Sequence, residues 1–506
     1  MNEDERTRAL EHEGVKKFGL TATTDGATIH KSPLLNFILM CVVWPQAFFL
    51  KCVDCTKHLA GGGAKDAEYI ATLMISAIRW LPFPRCLDLI ITDGAGDMTK
   101  FRGLIVAIFP WLYTLWCLSH LVNCILKKAS SNSKINELIE KGKKIVDPFG
   151  GSKHFEHSLF VLKSNDRALI RYNDTRFGLF FLMLHRLFIL RKVLLAVVTC
   201  PEYANKEYTE DEEYEIITDS NFWDDVELLI KVVWPLMMLI RLGDTREKPT
   251  LHLLYKSSIL AEERLVESGA QCPDKNTLFK KYPLERYEFD VNAGEYASEL
   301  LDGLKSYKEE LRCDITMAAS LVDVASWAEG TLCNEDECKI KMSEYLENYQ
   351  TQHELDDDFA VKAEEELARY LNKEEIFAME TVQRHATSMS PRRFFDKYMA
   401  KIPHFGQAAL HLASKVCGSG EAERNWKEVK FIYSKARNRL KPEKREKLVT
   451  RYNVLSNRLG YLDVDDVDPS KEIAKYGLDE ELKDPVSLAP SGLGGGACII
   501  IIFRIT

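Results

Sequence analysis

The sequence contains no apolar run of membrane-spanning length. Even the Ile-rich stretch Cys498 to Phe503 falls far short of the roughly 20 residues that a spanning helix needs. No secretion signal opens the chain, because Met1 to Arg8 is mostly charged and polar. There is no excess of positive charge: 67 Lys and Arg stand against 76 Asp and Glu, a formal net charge of −9. A global polycation that binds nucleic acid by charge alone is excluded, so any such surface must be local. The 13 cysteines form no repeating framework in the 506 residues, which fits free thiols in a reducing compartment. No repeat of 20–50 residues marks a solenoid. Gly61-Gly62-Gly63 lacks a following Lys-Ser/Thr and a strand-to-helix context, and reads as a turn rather than a phosphate cradle.

What is present is ordinary globular composition, 46% hydrophobic and 28% charged, in a chain long enough for two to four domains. The stretch Leu87 to His120 organises it. Leu87-Asp-Leu-Ile-Ile-Thr-Asp93-Gly94 reads as a buried strand delivering a carboxylate at its C-terminal edge, where open α/β sheets place their ligands. A turn or helix-cap aspartate is the plainer alternative for one Asp-Gly. Phe18 to Asp25 reads as an earlier strand that also ends in Asp-Gly. Leu34 to Val43 and Ala47 to Thr56 are two more, and Leu112 to Trp116 a fifth. Helices are expected over Asp66 to Leu81, up to Phe109, and over Leu118 to Lys128. This order, three strands followed by alternating helices and strands, is that of the ribonuclease H-like fold. In that fold the first and fourth strands are neighbours and their acids meet. Two adjacent carboxylates repel unless cations lie between them, and such a pair can hold two divalent ions across a phosphodiester.

From Asp147 to Tyr398 the pattern turns long and helical, with a largely buried helix expected over Leu179 to Val198 and another after Phe222-Trp223 kinked at Pro235. Beyond Gly418-Ser419-Gly420, two amphipathic stripes run from Val429 to Leu440 and from Leu448 to Leu459. Between Arg424 and Leu459 there are 12 Lys or Arg against three Glu. A basic outer face of this kind suits a dimer interface or phosphate contacts.

Thr24-Asp25-Gly26, Thr92-Asp93-Gly94-Ala95, Cys117-Leu-Ser-His120 with Asn123, Thr175-Arg176-Phe177, Phe222-Trp223 and Glu423-Arg-Asn-Trp426 … Lys435-Ala-Arg437-Asn438-Arg439-Leu440 … Tyr452-Asn453 together resemble a hAT-superfamily transposase. The branch resembled carries a domain of unknown function ahead of its C-terminal dimerisation region. The resemblance spans about Phe18 to Leu459. It implies a catalytic Asp-Asp-Glu triad of Asp25, Asp93 and Glu423 that holds Mg²⁺ or Mn²⁺, nicks DNA and transfers the freed 3′-hydroxyl. It implies DNA contacts from His120, Arg176, Phe177, Arg437 and Arg439. Homo-oligomerisation would run through Trp426, Ile432, Tyr433, Leu440, Leu448 and Tyr452, although core packing is the plainer reading of Trp426. A nuclear location follows, with DNA as partner, no membrane and no small-molecule substrate.

The expected layout is an N-terminal extension (1–17), an α/β ribonuclease H-like core with a mixed sheet (18–145), and a large all-helical insertion (146–398). The last core helices with Glu423 and the helical dimerisation segment follow (399–462), then a tail expected to be disordered (463–506). The family's BED-type zinc finger has no room before the first strand, so the reading expects a fragment or a chain without that module. Phe177 stands where the family has Trp, and Asp97 where Asn is common. A catalytically silent dimerising or nucleic-acid-binding relic is the rival reading. Cys52, Cys55, His58, Cys117 and His120 have zinc-ligand spacing, but Cys52 and Cys55 would point to opposite faces of one strand, so zinc is not expected.

Overall fold

The computed structural model describes residues 10–426 apart from positions 30, 45–46, 95, 166, 173–177, 205–211, 246–248, 270–290, 334–335 and 423. Five strands form one mixed sheet: β1 (Leu20–Ile29), β2 (Ser32–Met40), β3 (Phe48–Asp54), β4 (Leu87–Thr92) and β5 (Tyr113–Trp116). Their spatial order is β3-β2-β1-β4-β5. The first three are an antiparallel meander, whereas β4 runs parallel to β1 and β5 parallel to β4. Every residue of β4 is buried, which explains its near-continuous Leu-Ile run: a central parallel strand has both faces covered.

Side-chain alternation sorts the two faces. Leu20, Ala22, Leu35, Phe37, Leu39, Leu87 and Ile90 pack against the helices Ala67–Trp80 and Gly96–Ile108. Asp66 starts the first of these by accepting a hydrogen bond from the Tyr69 N–H. The opposite face presents Leu89, Ile91 and Leu115 to the helix Leu118–Ala129, and Ile29, Leu34, Ile38, Phe49 and Cys52 to Ala422 and Trp426. The sheet therefore has a helical layer on each side.

Beyond Ala129 the described chain is helical. The 25-residue helix Ser220–Asp244 runs on through Pro235 and packs against Leu118–Ala129. The single helix expected over Leu179 to Val198 is two, Gly178–Ile189 and Arg191–Val198, with the chain turning at Leu190. Apolar side chains on most of the circumference read as one long buried helix, but a turn lets both segments bury them, and Phe188, Leu190 and Leu194 are all inaccessible. One continuous apolar core runs from Phe18, Leu89 and Ile91 through the helical region to Cys417. No helix among the described residues is long and apolar enough to cross a membrane.

Candidate active site

The sheet register makes neighbours of the two strands that lead to the expected aspartates. β1 and β4 pair in parallel with Thr23 opposite Ile91. Two residues further along each chain come Asp25, still in β1, and Asp93, just past the end of β4 and of the paired register. Both share the parity of Thr23 and Ile91, so they lie on the face covered by Ala422 and Trp426. Asp25 does not end its strand, as the sequence suggests. β1 continues to Ile29 because its other edge still pairs with β2, up to Ile29 opposite Ser32. Only its pairing with β4 stops near the acids.

Asp25 is half-buried and firmly held. Its Oδ1 accepts the Gly26 N–H at 2.7 Å, and its Oδ2 accepts the Trp426 indole N–H at 2.7 Å. Its backbone N–H donates to Asn36 Oδ1 at 3.0 Å, while Asn36 Nδ2 donates to the Ala422 carbonyl at 2.9 Å. Asn36 is wholly buried, so one amide clamps β1 at Asp25 to the segment around Ala422. Burial pushes the Asp25 carboxyl above its ordinary value. The Trp426 and Gly26 hydrogen bonds oppose that, Asp93 adds to it, and Lys65 opposes it.

Asp93 precedes a tight approach. A Cβ on Gly94 would fall 1.4 Å from Cζ2 of Trp116, so only glycine lets the turn lie on that indole. Arg102 reaches the same turn, donating to Thr92 Oγ1 at 3.0 Å and to the Asp93 carbonyl at 3.3 Å. Its guanidinium lies over the Trp116 ring, 5.8 Å from the centroid. His120 is half-buried in the first turn of Leu118–Ala129. The neighbouring Ser119 donates to Asp244 Oδ1 at 2.6 Å.

Glu423 lies outside the described residues, as do Arg176, Phe177, Ile432, Tyr433, Arg437, Arg439, Leu440, Leu448 and Tyr452. Its neighbours are described: Ala422 is clamped by Asn36, and Arg424 donates to the Asp244 carbonyl at 2.8 Å and pairs with Glu421. Trp426, grouped with the dimerisation residues by the resemblance, is buried within the chain at 7% exposure, against Asp25 and the β2–β3 face.

The Cys-x-x-Cys-x-x-His spacing does not make a zinc site. Cys52 belongs to the cluster around Trp426, and Cys55 to the cluster on the other side of the sheet. The His58 ring stacks on Tyr69, with its Nε2 2.7 Å from the Ala64 carbonyl.

A second polar cluster, not expected from the sequence, lies at the opposite ends of β1 and β4. Asp88, His353 and His411 offer three ligand atoms within 4.8 Å of one another, a set that can hold a metal ion. The protein supplies its own cation there. Lys415 Nζ is 2.6 Å from Asp88 Oδ2 and donates to the Phe18 carbonyl at 2.7 Å. His411 Nδ1 is 3.1 Å from the same carboxylate oxygen, and Gln352 donates to the other at 2.9 Å. Gly19, at φ +66°, leaves room: its Cβ would fall 1.8 Å from Asp88 Oδ2. A metal ion would have to displace Lys415. The sequence signal was visible in retrospect, as a charged residue inside Leu87-Asp88-Leu89. Asn36, set inside Leu34-Leu35-Asn36-Phe37, carries the same signal.

The chain matches no protein-family model and no curated protein.

Proposed function

We propose that the chain is a metal-dependent DNA strand-cleaving and strand-transferring protein of the hAT-transposase kind, with a ribonuclease H-like core. The observation that carries the reading is that the adjacent parallel strands β1 and β4 carry Asp25 and lead into Asp93 on the same face of the sheet. The strand order β3-β2-β1-β4-β5 supports it, being the arrangement in which those two acids are neighbours.

The donor set fits Mg²⁺ or Mn²⁺. It is all oxygen, and each Asp25 oxygen accepts one hydrogen bond and keeps a lone pair. Asp25 and Asp93 would hold the ion, with Glu423 as the third acid. When bound, it supplies the charge that stabilises the attacking and leaving oxygens of a phosphodiester. The chain's own groups prepare the place. Gly26 and Trp426 fix the Asp25 carboxylate, Gly94 packed on Trp116 fixes the Asp93 turn, and Arg102 sets a positive charge beside that turn. His120, at the start of its helix, would face the DNA backbone. DNA is the proposed partner and a homo-oligomer the proposed working form, with nuclear residence following from the activity.

Calorimetric titration with Mn²⁺ tests this on the parent, Asp25→Asn, Asp93→Asn and Glu423→Gln, followed by cleavage of DNA by the parent. Binding lost in both Asp variants, with circular dichroism unchanged, is expected. Equal binding in all four proteins refutes the reading and leaves a dimerising, non-catalytic module.

A further inference from the structure

We propose that Trp426 is a positioning residue of this site: its indole N–H sets the Asp25 carboxylate for cation capture, so that the carboxylate is ready only when Trp426 is seated against it. The inference rests on the acid-pair reading above and adds to it the condition under which the pair is ready.

The indole ring sits among Ile29, Leu34, Ile38, Phe49, Cys52 and Ala422. Phenylalanine would keep most of that apolar contact, though not all of its volume. What tryptophan adds is one N–H, and it donates to Asp25 Oδ2 at 2.7 Å across 401 positions of sequence. The other oxygen is held by the Gly26 N–H at 2.7 Å. Two donors on two oxygens fix the plane of the carboxylate, which two single bonds would otherwise leave free to turn. The Asn36 clamp ties the same two segments through their backbones, so Asp25 and the segment arrive together. The charged groups acting on the Asp25 carboxylate are Asp93 from the end of β4 and Lys65 from the loop before Ala67–Trp80. Lys65 also donates to the Leu34 carbonyl at 3.2 Å. A carboxylate oriented in advance binds a cation without first losing torsional freedom.

The test uses the full chain labelled with 5-fluorotryptophan. Of its eight tryptophan resonances, that of Trp426 is the one missing in Trp426→Phe and displaced in Asp25→Asn. In the parent it should move as Mg²⁺ is added, and in Asp93→Asn it should stay. Trp426→Phe should bind Mn²⁺ about tenfold more weakly by calorimetry, the order expected for a hydrogen bond to a charged group, while melting close to the parent. Where Trp426→Phe does not fold, the parent resonance, assigned from Asp25→Asn alone, still decides. A resonance that ignores Mg²⁺, or equal Mn²⁺ affinity in Trp426→Phe, together with binding lost in Asp93→Asn, overturns this inference and leaves the acid pair standing. Binding unchanged in Asp93→Asn overturns the acid pair itself, and the inference with it.

Discussion

Replacing Lys415 by Met should be among the most destabilising single changes in the core. Asp88 and Lys415 are 5% and 2% exposed, with Lys415 Nζ 2.6 Å from the carboxylate. Burial alone would push the Asp88 carboxyl up, but the Lys415 ammonium and His411 hold it well below the usual carboxylate range. Methionine keeps most of the lysine stem and removes the charge. Removing one partner of a buried pair typically costs ~3–5 kcal/mol. Gln352 and His411 still contact the carboxylate, so the lower end, ~3 kcal/mol, is expected. Asp88→Asn combined with Lys415→Met leaves no isolated charge and should recover much of the loss.

The pH dependence has a definite sign. A carboxyl depressed in the folded state stabilises above its unfolded pKa of about 3.9 and loses that contribution as pH falls below it. The gap between parent and Lys415→Met should therefore be largest near neutrality and shrink in acid. Urea unfolding followed by circular dichroism, at pH 7 and at about pH 3, below the unfolded carboxyl value, and with and without EDTA, measures it. A Lys415→Met protein within ~1 kcal/mol of the parent would refute the ion-pair reading. So would a parent weakened by EDTA as much as by the mutation, for then a metal would be the counter-charge of Asp88.

Gly94→Ala places a methyl group inside the Trp116 ring and should cost about 1–3 kcal/mol, with Mn²⁺ affinity falling as the Asp93 turn is pushed away; unchanged melting and affinity would contradict the packing. Asn36→Leu strips the clamp from the Asp25 N–H and the Ala422 carbonyl, and a loss of ~2–3 kcal/mol is expected, with faster proteolysis near residue 420; equal protease resistance would contradict the clamp. His353, lowered to about 4 chiefly by burial and then by His411, is neutral at pH 7. Unfolded histidine takes up a proton near 6.5, so stability should fall as pH drops from about 6.5 to about 4, by up to ~3 kcal/mol, and His353→Gln should flatten that limb in urea titrations.

The five strands and the helices around them follow from local pattern. Leu87 to Ile91 is uniformly apolar but for Asp88, Asp66 caps its helix, and the Asp-Gly pairs mark where the strand pairing of β1 with β4 gives way. Cys52 and Cys55 sit in different cores as the spacing suggests, although β3 ends at Asp54 and Cys55 lies just beyond it, at the start of the next helix. What escaped is long-range. Trp426 and Asp25 lie 401 positions apart, Asn36 and Ala422 lie 386 apart, and no periodicity names such partners. The extent of β1 escaped for a related reason. Its end is set by β2 on one side and β4 on the other, and the two release it at different residues.

The two ends of the same strand pair treat aspartate oppositely, and the contrast bears on the proposed place of an exchangeable cation. At one end Asp88 is held low by an ammonium built into the fold; a metal arriving there would compete with Lys415 in a place closed to water. At the other end burial and Asp93 raise Asp25, and its half-exposed carboxyl is oriented by an indole N–H that carries no charge. A divalent ion gains most where neighbouring carboxylates repel and solvent access remains. On the proposed function that condition is sought beside Asp25 and Asp93, whereas the neutralised Asp88 serves to fasten Gly19, His411 and the Phe18 carbonyl to the base of the sheet.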